Sequence, residues 1–301
     1  MPPMNRGIVY ALGAYLSWGL FPLYFRQIAA VPALQVVAHR TLWSLAFVAL
    51  VMLATGRLAW LKGVSLATWR RFALSAALIA VNWLTYVWAV GHGQVINASL
   101  GYFINPLVNV ALGFAVLHER PRPVQWLAVG LAAFGVLWLT VAAGTLPWVA
   151  LVLALSFGLY GLMRKTAALG ALEGLALETL ILAPLALAGL AWWWQAGDLA
   201  GQTAVDWAWL IGTGPVTAGA LLLFAAGARR IPLATLGIVQ YASPSLQFLL
   251  GVFLFHEPMD ANRLVAFGFI WGALAVYSAE GLWQTRRMLR CSVANEIVEG
   301  A

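Results

Sequence analysis

Ten apolar runs of about 20 residues each dominate this chain, the length that a helix needs to cross a hydrocarbon core. They cover residues 7–27, 34–54, 72–92, 97–117, 123–142, 145–163, 173–194, 207–227, 234–255 and 262–283. None alternates as a barrel strand would, and all are too long for one. The expected fold is therefore an all-α integral membrane protein with ten transmembrane helices. Composition excludes the soluble alternative: 63% of residues are hydrophobic and 9% charged, against about 25% charged in a soluble domain. The run from Ile8 lacks a small-residue cleavage site and reads as a retained span rather than a removable leader. Cys291 is the single cysteine and falls in the polar tail, so neither a disulfide framework nor a cysteine metal site is expected.

The pattern repeats after an odd number of spans. From Tyr102 the chain reads YFINPLVNVALGFAVLHERP, and from Gln240 it reads QYASPSLQFLLGVFLFHEPM. Pro106 matches Pro244, Gly113 matches Gly251, and His118-Glu119 matches His256-Glu257 at one offset. Ser17-Trp18-Gly19 pairs with Ser156-Phe157-Gly158 one residue out of step. This second echo supports the span at 145–163, which otherwise rests on a very short hinge, Ala142 to Thr145. Five spans between copies imply that the second half crosses in the opposite sense, the inverted-repeat plan of secondary transporters. Residues 1–143 and 144–285 are then the two five-helix repeats, and 286–301 is a cytoplasmic tail.

Positive charge orients the bundle. With both termini in the cytoplasm, all of the 17 Lys and Arg residues lie inside except Arg26, Arg40 and Arg263. Trp192, Trp193, Trp194, Trp207 and Trp209 then gather at the outer interface. The basic balance follows topology, and charges scattered over many loops do not suggest nucleic-acid binding. Residues 55–71 are either an interfacial helix or a solvated loop. The tail from about Arg286 reads as disordered. No Walker lysine motif and no soluble domain are present to drive transport with ATP.

Polar side chains inside the spans carry whatever chemistry the chain has. Tyr102, Asn105 and Asn109 share one face of the fourth span, and Gln240, Ser243 and Gln247 share one face of the ninth at the same spacing. Aligning Leu100-Gly101 with Leu236-Gly237 instead slips the residues before the prolines by two. Pro106 and Pro244 each free a carbonyl and are expected as helix breaks beside the stripe. Helix-to-helix glue is the competing reading. Asn82 and Tyr86, with Trp18 and Tyr160, add amide and aromatic groups suited to a flat or amphipathic molecule. His39, Arg40 and Glu178 are candidates for coupling or gating, with protons as the coupling ion. His39 and Glu178 are equivalent under the second offset, and lie on the order of 10–15 Å apart in depth. Arg40 snorkelling outward and Glu178 as a structural carboxyl are the alternatives. The His-Glu pairs end their helices, where the histidines complement the C-terminal dipole; neither continues as H-E-x-x-H, so no metal site is expected. Gly130, Gly135, Gly268 and Gly272 suggest close helix packing.

The motifs AHRTLWS at Ala38–Ser44, NASLGYFINPL at Asn97–Leu107 and LATLGIVQY at Leu233–Tyr241 resemble those of the RarD proteins in the EamA branch of the drug/metabolite transporter superfamily. The similarity runs to about Trp283. It implies a ten-helix, five-plus-five permease of the bacterial inner membrane that moves a small metabolite or drug-like molecule, amino acids and chloramphenicol-related compounds included. Tyr102, Asn105, Gln240, Ser243, Asn82, Tyr86, Trp18 and Tyr160 are the expected substrate contacts. No cofactor and no catalytic residue are expected, since no nucleophile or metal constellation is legible. A passive channel or a non-transporting membrane scaffold is the alternative.

Overall fold

Every apolar run contributes helix in the computed structural model, which describes residues 3–57, 59–118, 120–165, 167–199, 201–228, 230–231 and 239–299. In chain order the helices are α1 (Pro3–Arg26), α2 (Ala33–Ala54), α3 (Leu66–Gly91), α4 (Val95–Leu117) and α5 (Pro123–Ala143). They continue with α6 (Trp148–Lys165), α7 (Ala171–Ala196), α8 (Ala204–Ala228), α9 (Ala242–Leu249) and α10 (Ala261–Glu299). No strand occurs among the described residues. Eight helices are long and apolar enough to cross a membrane, while α6 and the segment Ala242–Leu254 are apolar but shorter. The motif at 233–237, with Glu119 and Arg229, lies outside the described residues.

Local chemistry sets the boundaries. Pro123 opens α5 in its first turn, where a missing N–H costs nothing, and Gln125 accepts from the Arg122 N–H at 2.9 Å. Gly144 closes α5 with φ at 64°, a left-handed geometry that only a residue without Cβ adopts cheaply. That one turn is enough for the short hinge before α6. Ser65 accepts from the Thr68 N–H at 3.2 Å and caps α3. The segment 55–71 therefore holds a short 3-10 turn, Ala59–Gly63, and the first turns of α3 rather than a separate interfacial helix. The tail also departs from expectation, because α10 runs on to Glu299.

The prolines behave differently from one another. Pro106 does not break α4, which stays α-helical through it; packing against neighbouring helices holds the turn whose hydrogen bond is lost. Pro244 sits in the first turn of α9, just after the turn at Gln240 and Tyr241 that separates α9 from the helical residue Val239. Beyond α9 the backbone passes through a π-helical turn, Leu250–Leu254. His118 and His256 both adopt left-handed φ values, 54° and 51°. They end their helices by reversing the backbone, a conformation uncommon outside glycine. The His118 N–H reaches the Gly113 carbonyl, and the Glu257 N–H reaches that of Gly251 at 2.9 Å.

Glu257 then ties the chain after the Leu250–Leu254 turn to the start of α4. Its carboxylate accepts from the N–H groups of Val95 at 2.6 Å and Ile96 at 2.8 Å, the first residues of α4. An anion there satisfies donors that no helix can satisfy itself and complements the positive end of the dipole.

Side-chain packing pairs α1 with α8 and α9, α2 with α7 and α8, α3 with α6 and α7, α4 with α6 and α9, and α5 with α10. Gly135 explains the α5–α10 approach, since a Cβ there would lie 2.9 Å from the Ala266 carbonyl oxygen. Gly130, Gly268 and Gly272 have open space where a Cβ would go, so those three do not mediate packing as expected. On the outside, Val141, Leu185, Phe253, Trp192 and Trp194 are each at least 70% exposed, an apolar coat that suits lipid.

Candidate functional site

A cavity of about 390 Å³ opens where α1, α3, α4, α6, α8 and α9 converge, within the range typical of small-molecule pockets. Both polar stripes face it. Tyr102, Asn105 and Asn109 line it from α4, and Gln240, Ser243 and Gln247 line it from α9 and the turn before. The i, i+3, i+7 spacing does this, since it holds three side chains over one stripe of each helix. Asn82, Tyr86, Trp18, Tyr160, Pro244 and Arg40 line the same space.

Many of these groups also tie helices together. Asn82 donates to the Leu153 carbonyl at 3.1 Å and the Ser156 hydroxyl at 3.0 Å, and accepts from the Tyr102 hydroxyl at 3.3 Å. Asn105 donates to the Ala154 carbonyl at 3.2 Å and accepts from Asn109 at 3.2 Å. Gln247 donates to the Trp18 carbonyl at 3.1 Å. Lining and glue are thus carried by the same amides. Of the side chains that line the cavity, Arg40 Nε, Arg164 Nη1, the Tyr86 and Thr217 hydroxyls and Gln247 Oε1 are buried without a hydrogen-bond partner among the described residues.

The three ionisable candidates part company here. Arg40 does not snorkel; it is 4% exposed, with its guanidinium 4.2 Å from the Trp83 ring centroid. His39, its neighbour in sequence, is turned away from the cavity and meets Trp207 edge-on at 5.1 Å. Glu178 is not part of the lining either. It accepts from Ser75 at 2.5 Å and Tyr160 at 3.2 Å and pairs with Arg164 at 3.7 Å. Arg164 lines one margin of the cavity and braces the α6–α7 turn through the Gly170 carbonyl at 2.9 Å. Pro106, within α4, is not among the lining residues.

Sequence reasoning missed the contribution of α8. Thr217, Leu221 and Phe224 complete the wall, with Phe224 5.6 Å from Trp18 and 6.0 Å from Tyr15. The spacing of Thr217, Leu221 and Phe224 carried the signal, but only one of the three is polar.

A multi-pass helical membrane protein with an internal polar and aromatic cavity is the class these features define. Residues 5–141 match the EamA-like transporter family. An uncharacterized transporter of Pseudomonas aeruginosa is 47% identical over 95% of this chain and 97% of its own length. RarD of Streptomyces exfoliatus is 44% identical over 94% and 91%, and RarD of Escherichia coli 43% over 94% and 97%. In fold, the chain matches a solved crystal structure with a TM-score of 0.61 at 20% identity, covering 92% of this chain and 98% of the other. The chain belongs to the EamA-like transporter family, with full-length similarity to RarD proteins. It is a membrane transporter, with a small-molecule substrate and a lipid environment.

Proposed function

We propose that the protein is a secondary-active permease of the bacterial inner membrane that moves a small, largely apolar molecule by alternating access. The observation that carries this is the shared cavity: two polar stripes, read from sequence at one offset, line one space between the halves. Packing supports the two-repeat plan of residues 1–143 and 144–285. Adding five to each helix number exchanges α1–α8 with α3–α6, α2–α8 with α3–α7 and α1–α9 with α4–α6, while α2–α7, α4–α9 and α5–α10 map to themselves. Sidedness is supported by pairs that join ends assigned to the same face. Arg122 bonds Glu280 at 2.8 Å, Arg230 lies over the Tyr10 ring, and Arg26 lies over Phe255. The positive charge gathered at the face of the termini is what assigns that face to the cytoplasm in this scheme.

Tyr102, Asn105, Gln240, Ser243, Asn82, Tyr86, Trp18 and Tyr160 are the substrate contacts in this scheme. Glu178 and Arg164 gate one margin of the cavity, and Glu178, joined to the lining residues Tyr160 and Arg164, is the group that couples transport to protons; His39 packs on Trp207, away from the lining, and carries no step. A relative at 33% identity bears the name chloramphenicol-sensitive protein RarD, which makes chloramphenicol one probe. Counterflow in proteoliposomes, with labelled chloramphenicol and aromatic amino acids, is the test. Trans substrate accelerates flux through a carrier and leaves a channel unaffected. Asn105→Ala and Gln240→Ala should each lower that flux on the order of tenfold per molecule of folded protein; unchanged flux in both returns the stripes to helix packing.

A further inference from the structure

Among the described residues, the cavity holds one cation without a carboxylate partner. Among the described lining residues there are two arginines and no Asp or Glu. Arg164 is paired with Glu178 at 3.7 Å, but among the described residues Arg40 has no carboxylate partner and its Nε no hydrogen bond. Arg40 is also 4% exposed. The Trp83, Phe25 and Phe21 ring centroids lie 4.2, 5.4 and 5.7 Å from its guanidinium. Such contacts steady a cation without neutralising it, and a buried charge with nothing else is costly. Arginine does not escape that cost by losing its proton. Beside it, the Tyr86 hydroxyl also lacks a partner, and Tyr86 and Tyr102 lie within electrostatic reach.

From this geometry we infer that the substrate is a small organic anion with a flat apolar body, its carboxylate held by Arg40 and the Tyr86 hydroxyl. This rests on the cavity being the substrate site. The guanidinium fork fits a carboxylate with two parallel bonds. Folding has already removed Arg40 from water, so an entering carboxylate meets a preorganised cation and only its own desolvation opposes binding. Trp83, Trp18, Tyr102 and Phe157 supply faces for the ring of the ligand. A zwitterion fits less well, because no lining carboxylate waits for its ammonium.

Calorimetry on the purified full chain in detergent tests this with benzoate, phenylacetate, 4-hydroxyphenylacetate and indole-3-acetate, each against its primary amide, and with tryptamine as a cation. At least one acid should bind on the order of 10- to 100-fold more tightly than its amide, the loss expected for one charged hydrogen-bonding anchor. Arg40→Met should abolish that preference while the ligand-free protein melts no lower than the parent, since an unpaired buried cation has been replaced by an apolar chain. Arg40→Lys should keep the preference at reduced affinity. Amides or tryptamine binding as well as the acids, no acid binding at all, or an acid preference that survives Arg40→Met or vanishes in Arg40→Lys, would each overturn the inference. Acid binding with the expected Arg40 dependence but no counterflow upholds the anion site and refutes the transport proposal. Counterflow of neutral compounds alone does the reverse.

Discussion

Removing the Glu257 carboxylate should destabilise the bundle by an amount that its hydrogen bonds allow one to work out. Val95 and Ile96 are both fully buried, and their N–H groups donate to Glu257 at 2.6 and 2.8 Å. In Glu257→Ala both donors lose their acceptor inside the protein. Each buried orphan N–H costs about 1–3 kcal/mol, and the lost charge at the helix start adds about 0.3–1 kcal/mol. The Ala variant should therefore lose about 2–7 kcal/mol. Glu257→Gln keeps one acceptor oxygen but sets an amide N–H beside a backbone donor, for a loss of about 1–3 kcal/mol. Glu257→Asp, one methylene short, should fall between parent and Ala. Equilibrium unfolding in mixed micelles of graded SDS content, followed by tryptophan fluorescence, gives the series. An Ala variant within about 0.5 kcal/mol of the parent, below the loss of even one such bond, would refute the cap.

Other perturbations separate close approach from open space and gating from packing. Gly135→Ala forces a Cβ to 2.9 Å from the Ala266 carbonyl and 3.1 Å from Phe269 Cβ, which should cost about 1–3 kcal/mol. Gly130→Ala meets nothing within 4 Å and should be neutral or stabilising by up to about 1 kcal/mol; the same unfolding assay reverses this order if the α5–α10 approach is elsewhere. Glu178→Gln keeps one acceptor oxygen for the Ser75 and Tyr160 hydroxyls, sets an amide N–H in place of the other, and removes the charge facing Arg164. Counterflow should persist in that variant while drive by a pH gradient disappears, and a gradient response like the parent's removes Glu178 from coupling.

What could be read from sequence was what periodicity encodes. The stripe of Tyr102, Asn105 and Asn109 and its copy at Gln240, Ser243 and Gln247 share a helical spacing, and both face the cavity. Span lengths were legible for the same reason, down to the hinge at Gly144. Distinguishing His39 from Arg40 was not, because neighbours on a helix point about 100° apart and α2 is buried on more than one side. Glu257 carried no local signal either, since the donors that it caps lie far away in sequence. Pro106 shows the limit of local rules: proline weakens a helix, yet α4, packed against α5, α6 and α9, stays helical through it. The glycines show it again, as only Gly135 of four meets a partner helix.

Polar groups inside the bundle divide by whether the protein itself satisfies them, and that division separates two kinds of variant. The Asn82, Asn105 and Gln247 amides spend their donors on the carbonyls of Leu153, Ala154 and Trp18, so they fix α3 and α4 on α6 and α9 on α1. Truncating them removes both a cavity surface and a buried hydrogen bond, so flux and stability should fall together. Among the described residues, Arg40 Nε and the Tyr86 hydroxyl have no hydrogen-bond partner. Truncating either removes no protein–protein hydrogen bond, so stability should hold or rise while ligand affinity falls. A buried polar atom with no partner is a cost of folding. When two such atoms line one cavity, the group that repays the cost has to come from outside the chain, and that makes the pair a sharper marker of the ligand than the amides that first drew attention to the site.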